Sequence, residues 1–300
     1  YKRQLVTDSL ERIGKITGTN IAETIGMDDP WHYRNKVQYP VAWERGQTII
    51  GYYQERTHRV INVTECPVAH PDLTLLMNIT RNIIRKYRLY VYNESLGKGL
   101  LRHVIGRIGF ATGEMLLGFV INGTEIPYAG KIIKELTEEA KKISRARLPR
   151  HHTVRGLVGI LQNINQAQTN VILGNKSEVI AGNPQFIDQL GDLRFKVALE
   201  SFFQINPLQT VKLYDQIIEL AELSGKENVI DAYAGVGSIA LWIAPHVLKV
   251  IGIEENPLSV IDAKDNARLN KIKNIEFLDG GVENILPKIK KPDVLIIDPP

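Results

Sequence analysis

Cysteine is nearly absent from this sequence of 300 residues; Cys66 is the only one. A single thiol excludes a disulfide framework and points to a reducing, cytoplasmic setting. No stretch approaches ~18 consecutive apolar residues, so no membrane-spanning helix and no membrane partner are expected. Internal repeats and low-complexity linkers are also missing, which sets aside a repeat architecture. The chain opens on Tyr1-Lys2-Arg3-Gln4, neither an initiator Met nor a signal peptide, and reads as cut from a longer protein. Its last residues, Ile296-Ile297-Asp298-Pro299-Pro300, stop where a strand should hand over to a loop and read as a second cut.

What is present is the composition of a soluble globular chain, 44% hydrophobic and 23% charged, of a length that suits two domains. The net charge of +4 permits a polyanionic partner without requiring one. The basic residues are bunched. Arg81, Arg85, Lys86, Arg88, Lys98, Arg102 and Arg107 stand against the lone acid Glu94, and Lys141, Lys142, Arg145, Arg147, Arg150 and Arg155 follow with His151 and His152 beside them. Such runs are either solvated helix faces or a phosphate-contacting surface. The histidines His32, His103, His151 and His152 lack metal-ligand spacing.

Periodicity predicts a helix over 4–16, closed by Thr17-Gly18. Short β-type runs follow at 36–43, 48–53, 60–63, 101–108, 114–121, 154–161 and 170–173, with helical stretches at 73–87 and 132–146. This is an α+β region with a largely antiparallel sheet. After Phe202 helix and strand alternate: a helix from Pro207 to about Ala221, then strands at 228–231, 249–253, 274–277 and 293–297 with helices at 238–243, 257–269 and 282–289 between them. That rhythm predicts a doubly wound parallel sheet, with a boundary near residue 200.

Four motifs carry chemistry. The run Val229-Ile230-Asp231-Ala232-Tyr233-Ala234-Gly235-Val236-Gly237-Ser238 is a buried strand ending in an acid, then a Gly turn opening a helix. A dinucleotide site would use that turn for a pyrophosphate. Asp231 instead favours a cation, as in the sulfonium and ammonium of S-adenosylmethionine. Glu254, closing the next strand, is placed to accept both hydroxyls of a ribose. Asp298-Pro299-Pro300 holds a carboxylate at the carboxyl edge of the sheet and points to a methyltransferase acting on a planar nitrogenous ring. Ser201-Phe202-Phe203-Gln204-Ile205-Asn206-Pro207 offers aromatics and amides, for base stacking or equally for core packing and helix capping.

In this order and spacing the four motifs resemble the RNA uracil-5-methyltransferase family, and the likeness covers essentially the whole chain. Tyr33-Arg34-Asn35-Lys36-Val37-Gln38, Leu100-Leu101-Arg102-His103-Val104, Gln162-Asn163-Ile164-Asn165 and Thr169-Asn170-Val171-Ile172 resemble further segments of it. The resemblance implies an α/β Rossmann-like methyltransferase domain at 199–300, an α+β central RNA-binding domain at 29–198, and an N-terminal helix at 1–28 that packs on the catalytic domain. It implies S-adenosylmethionine contacts at Gln204, Tyr233, Gly235, Gly237, Glu254 and Asp298, with Asp231 and Ser238 less firmly matched. Arg34, Lys36, Arg102, Phe202 and Asn206 become candidates for RNA or target-base contact. Cys66, in Glu65-Cys66-Pro67-Val68, is either a small buried hydrophobe or, by the resemblance, the last ligand of a [4Fe–4S] cluster whose other ligands precede Tyr1.

The implied activity is methylation of uridine at C5 by cysteine addition to C6, most naturally in 23S ribosomal RNA, by a monomeric enzyme. The family's nucleophilic cysteine and glutamate base are expected after Pro300. The rival readings are an amino-methyltransferase acting on adenine or guanine of RNA, a non-catalytic RNA-binding module and, more remotely, a flavin- or NAD-dependent enzyme.

Overall fold

The computed structural model describes residues 1–146 and 156–299. The chain divides into two compact units, 1–31 and 32–300. The first holds α1 (Lys2–Asp8), continued by a π-helical turn at Ser9–Ile13, so the helix expected over 4–16 is shorter and changes winding. Its apolar positions Leu5, Ile13 and Ile16 are exposed.

The second unit opens with β1 (Lys36–Glu44), β2 (Gln47–Tyr53), β3 (Val60–Asn62), α2 (Pro71–Lys86), β4 (Leu101–Ile108), β5 (Glu114–Ile121), α3 (Ala129–Ala146), β6 (Gly156–Ile164) and β7 (Lys176–Gly182). These strands form one sheet in the order β3-β2-β1-β4-β5-β6-β7. All its pairings are antiparallel except β5 with β6, where α3 makes the crossover a parallel pair requires. β4 and β5 are buried along their whole length because both sheet faces are covered. Val104 and Ile108 pack on one face with Leu73, Met77 and Leu136 of α2 and α3. Ile105 and Val120 pack on the other with Phe186, Phe195 and Leu199.

A hairpin follows, β8 (Gln185–Leu190) with β9 (Leu193–Ala198), closed by Gly191-Asp192. Gly191 sits at φ 54°, the left-handed conformation that a two-residue hairpin turn demands. Neither β7 nor this hairpin is foreseen by the periodicity. The strand predicted at 170–173 is absent, for a physical reason: the carbonyls of Val171 and Ile172 accept from the Asn165 side chain (2.7 and 2.9 Å) and so are spent locally rather than on a ladder.

The remainder is α4 (Pro207–Leu220), β10 (Asn228–Ala232), α5 (Ser238–Ile243), β11 (Lys249–Glu254), α6 (Pro257–Leu269), β12 (Ile275–Asp279), α7 (Val282–Ile285) and β13 (Val294–Ile297). The four strands are parallel in the order β12-β11-β10-β13. The chain winds outward from β10 to β12 and then returns to the other side of β10. That reversal is the topological switch point at which open α/β sheets bind ligands. The Rossmann-like sheet and the α+β sheet are both as expected from the sequence.

Arg107 ties the segment after β9 to the large sheet. Its side chain is wholly buried, and one guanidinium nitrogen donates to the carbonyls of Ala198 (2.7 Å), Leu199 (3.2 Å) and Ser201 (2.6 Å). Burial draws its pKa down to about 10, still far above neutrality. Arg107→Met removes the donor from all three carbonyls, of which that of Leu199 is fully buried. With roughly 1–3 kcal/mol for each buried group left unsatisfied, the expected loss of unfolding free energy is about 3 kcal/mol, read as a lower urea midpoint; an unchanged midpoint would show that the strut is dispensable.

Candidate functional site

The parallel strands each end in an acid or hand over to one: Asp231 on β10, Glu254 on β11, Asp279 on β12, and Asp298 just past β13. The two central strands, β10 and β11, are short apolar runs that are largely buried, so the acids at their carboxyl ends come together at one edge of the sheet. A cavity of about 600 Å³ opens there. Seven of the eight expected cofactor positions line it: Gln204, Asp231, Tyr233, Gly235, Ser238, Glu254 and Asp298. The eighth, Gly237, lies between them at φ 79°, where an added Cβ would come within 2.6 Å of the Phe277 ring.

Asp231 is the most constrained of the group. It is 1% exposed, and its Oδ2 accepts from the Ala240 N–H (3.0 Å) while its Oδ1 has no partner. Burial, with the charges of Asp298 and Glu254, pushes its pKa up to about 7. Glu254 is held differently. Gly235 N–H donates to one oxygen and Asn256 N–H to the other, both at 2.8 Å, which fixes the carboxylate plane and leaves lone pairs toward the cavity. Tyr233 holds φ 64°, a strained value for a residue with a Cβ, and its hydroxyl donates to Glu283 (2.7 Å). The Ser238 hydroxyl bonds to Tyr214 (2.8 Å).

The structure divides the Ser201–Pro207 motif. Phe203 is buried against Phe195, whereas Phe202 is exposed and lines the cavity. Asn206 caps α4, its Oδ1 accepting from Gln209 N–H (3.1 Å). The Gln204 carbonyl accepts from the Asn35 side chain, and the Ile205 carbonyl from the Asn35 N–H, each at 3.0 Å.

Arg34, Lys36 and Arg102 do not line this cavity. Arg34 Nε donates to the Lys36 carbonyl (3.0 Å). Lys36 has its pKa lowered to about 8 by burial and by Arg107 and Arg34, opposed by Glu200. Arg102 is buried, donates to the carbonyls of Asn165 (2.8 Å) and Ala167 (2.7 Å), and stacks over Tyr92. Its donors are thus used within the fold. The first basic run is mostly of this kind: Arg81, Arg85, Arg102 and Arg107 bond backbone carbonyls, and Lys86 pairs with Glu135. It is not one continuous phosphate surface, because β4 and α2 turn Arg81, Arg85, Arg102 and Arg107 toward carbonyls, whereas Lys86, Arg88 and Lys98 stay exposed. In the second run Lys141 and Lys142 pair with Glu138 and Glu139; Arg147, Arg150, His151, His152 and Arg155 lie outside the described residues.

Sequence reasoning missed Asp262 of α6, whose carboxylate lines the cavity and accepts from Ser201 and Gln185, both at 2.8 Å. Nothing in the helical pattern separates it from the neighbouring Asp265. It also missed Asn35, although Asn35 stands inside a segment singled out for its neighbours.

Cys66 is buried among apolar residues, close to Tyr39 and Tyr52. Among the described residues no group of three or more His, Cys, Asp or Glu is placed to hold a metal. The iron–sulfur expectation therefore finds no support, and Cys66 takes the place of a small core residue. Among the described residues no helix is long and apolar enough to cross a membrane.

A four-stranded parallel sheet in this order, with an acid-lined cavity at its switch point, is the Rossmann-like fold of class I methyltransferases. Residues 208–298 match the family model described as the TRM5/TYW2 methyltransferase domain. Over the whole chain it is 40% identical to an uncharacterized RNA methyltransferase of Halalkalibacterium halodurans and 39% identical to one of Clostridium acetobutylicum, and it spans 63% and 64% of their lengths. The Pyrococcus abyssi tRNA (uracil-54, C5)-methyltransferase, solved with S-adenosyl-L-homocysteine, superposes with a TM-score of 0.76 at 21% identity, covering all of this chain and 67% of that one. At that identity the likeness is one of fold. The match to the TRM5/TYW2 model corrects the expectation of the uracil-5 family and its 23S ribosomal branch, with C5 methylation by cysteine addition. The domain model that fits 208–298 is TRM5/TYW2, and the relatives are named for RNA methylation without a base.

The protonation of Asp231 is open to test. Its pKa is about 7 in the folded state against an ordinary 3.8, so the stability it confers is full below about pH 4 and is lost as the pH rises through 7. Asp231→Asn keeps the acceptor for Ala240 N–H and removes the charge. Thermal melts are expected to show a gain in midpoint that is larger at pH 8 than at pH 5; a gain independent of pH would mean that the buried carboxyl is not the group titrating.

Proposed function

We propose that the chain is the greater part of an S-adenosylmethionine-dependent RNA methyltransferase that modifies a base. Residues 199–300 hold the cofactor, and residues 29–198 bind the RNA. The observation that carries this reading is the unpartnered, fully buried Oδ1 of Asp231 in the cavity wall. A buried acceptor without a donor is costly, and a cationic ligand relieves the cost. The rest of the lining supports it. Glu200, Asp231, Glu254, Glu255, Asp262 and Asp298 face the cavity, and among the described residues no Lys or Arg does. That field repels the pyrophosphate of a dinucleotide and suits a sulfonium with an ammonium group. The volume of about 600 Å³ is that of a small-molecule site.

S-adenosylmethionine, when bound, supplies an electrophilic methyl group on its sulfonium. Asp231 balances positive charge, the pinned Glu254 accepts from the ribose diol, and the Gly235–Gly237 turn brings backbone close to the ligand. Asp298 sits beside Asp231 at the mouth and, with the exposed Phe202, borders the place where a planar base would enter. A base reaches that depth only when turned out of its stack, which unpaired RNA allows most readily. RNA as substrate is further supported by the names of the relatives that match the whole chain.

The test uses the full-length protein with methyl-labelled S-adenosylmethionine, offering transfer RNA transcripts first and ribosomal RNA second, followed by digestion to nucleosides. Label is expected on a base. Glu254→Ala is expected to weaken cofactor binding by about tenfold or more, since charge-assisted hydrogen bonds are worth ~1.5–3 kcal/mol each. Cofactor affinity in the wild type is expected to fall about tenfold per pH unit below pH 7, as Asp231 takes up its proton. Label on the ribose hydroxyl, or no measurable cofactor binding, would overturn the reading.

A further inference from the structure

A second and larger cavity, about 1230 Å³, lies on the seven-stranded sheet between the β1–β2 hairpin and the segment 85–103. The cofactor reading leaves it without a use. Its rim carries rings that stand out of the surface: Trp43 is 62% exposed, Tyr90 79% and Tyr53 39%. Large aromatics so exposed at one opening are unusual for a surface that only meets water. Positive charge surrounds them. Arg85, Arg88 and Arg102 line the cavity, and among the described residues Glu94 is its one acidic lining residue. Both oxygens of that carboxylate are occupied, by the Tyr53 hydroxyl and by His58 Nδ1, each at 2.9 Å. Arg85 and Arg102 spend donors on carbonyls yet keep their charge beside the cavity, while Arg88 is exposed at its edge.

Within the lining, His103 is 6% exposed, and its Nδ1 has no hydrogen-bond partner. Burial and the adjacent Arg102 lower its pKa to about 4, so the imidazole is neutral at physiological pH. A neutral imidazole presents one N–H and one lone pair, the complement of a base edge rather than of a phosphate. Rings for stacking, cations for a backbone, and a buried unpartnered polar atom at depth match the chemistry of single-stranded nucleic acid. A duplex, with its bases stacked inward, has nothing to offer the rings.

We propose that this cavity grips an unpaired stretch of RNA, with Trp43, Tyr53 and Tyr90 stacking on bases and Arg88 facing the phosphates, at a place separate from the cofactor cavity. The proposal rests on the RNA reading above and adds to it where the substrate is held. The probe is a fluorescein-labelled single-stranded RNA of about 12 nucleotides, within the ~4–16 that such grooves span, titrated with full-length protein by anisotropy. The same strand in a duplex and an oligoglutamate peptide serve as competitors.

Stacking is worth ~1–3 kcal/mol per base. The double variant Trp43→Ala/Tyr90→Ala is therefore expected to weaken single-strand binding by about tenfold or more, with cofactor affinity and thermal midpoint unchanged because both rings are exposed. Arg88→Ala is expected to reduce the salt slope of binding by about 1. Unchanged single-strand affinity in the double variant, equal binding of the duplex, or displacement by the peptide would each overturn the proposal. RNA methylation that persists alongside unchanged affinity would sink this inference and leave the enzyme reading intact. Binding that depends on the two rings in a protein that methylates no RNA would do the reverse.

Discussion

The guanidinium of Arg107 lies wholly inside the molecule, on a strand of the large, mostly antiparallel sheet, and its bonds run to the chain that leads into the cavity at the edge of the parallel sheet. Three carbonyls between Ala198 and Ser201 converge on it or its neighbourhood, and Asn35, which pairs with the same strand through Ile108 N–H, takes the next two at Gln204 and Ile205. The segment 199–206 has no ladder of its own. Its course is set by these side-chain donors, and so are the positions of Phe202 and Gln204 in the cavity wall. A buried cation is tolerable here because backbone carbonyls replace part of its hydration. The consequence is that the geometry of one sheet's ligand site depends on a residue of the other sheet.

At the cavity the opposite charge accumulates. Parallel strands deliver their last residues to one edge, so the acids at the ends of β10 and β11 and after β13 are brought together by topology alone. Burial, and the charges of Asp298 and Glu254, raise the pKa of Asp231 to about 7. Crowding acids in this way costs stability, and a cationic ligand of the kind proposed above would relieve that cost. The strained φ of Tyr233 beside it belongs to the same exchange.

The two sheets were legible to very different degrees. The strand–helix alternation after Phe202 was plain, because each strand is a short apolar run between helical segments, and each strand of the four-stranded parallel sheet falls within a residue or two of its expected place. The region before it was harder. β7 alternates polar and partly buried residues at a sheet edge, and its signal is weak. The run at 170–173 has strand composition, but Asn165 claims its carbonyls, a competition invisible in the composition of the run itself. The bunched arginines misled in the same way. Spacing along the chain shows that they are close together, whereas burial on β4 and α2 decides that most of them brace carbonyls instead of meeting solvent.

By itself the sequence determined the parallel sheet, the Gly turn after β10, and the acids at the ends of its strands, because these follow from short-range periodicity and from backbone conformations that few residues adopt. Tertiary structure alone decided which donors are spent and which remain. Arg102 and Arg107 are turned inward, Cys66 is enclosed by two tyrosines, Asp262 is turned into the cavity, and Asp231 Oδ1 and His103 Nδ1 are left without partners. The physical reason is that hydrogen bonding, desolvation and charge act across space between groups far apart in the chain, and no local pattern records them.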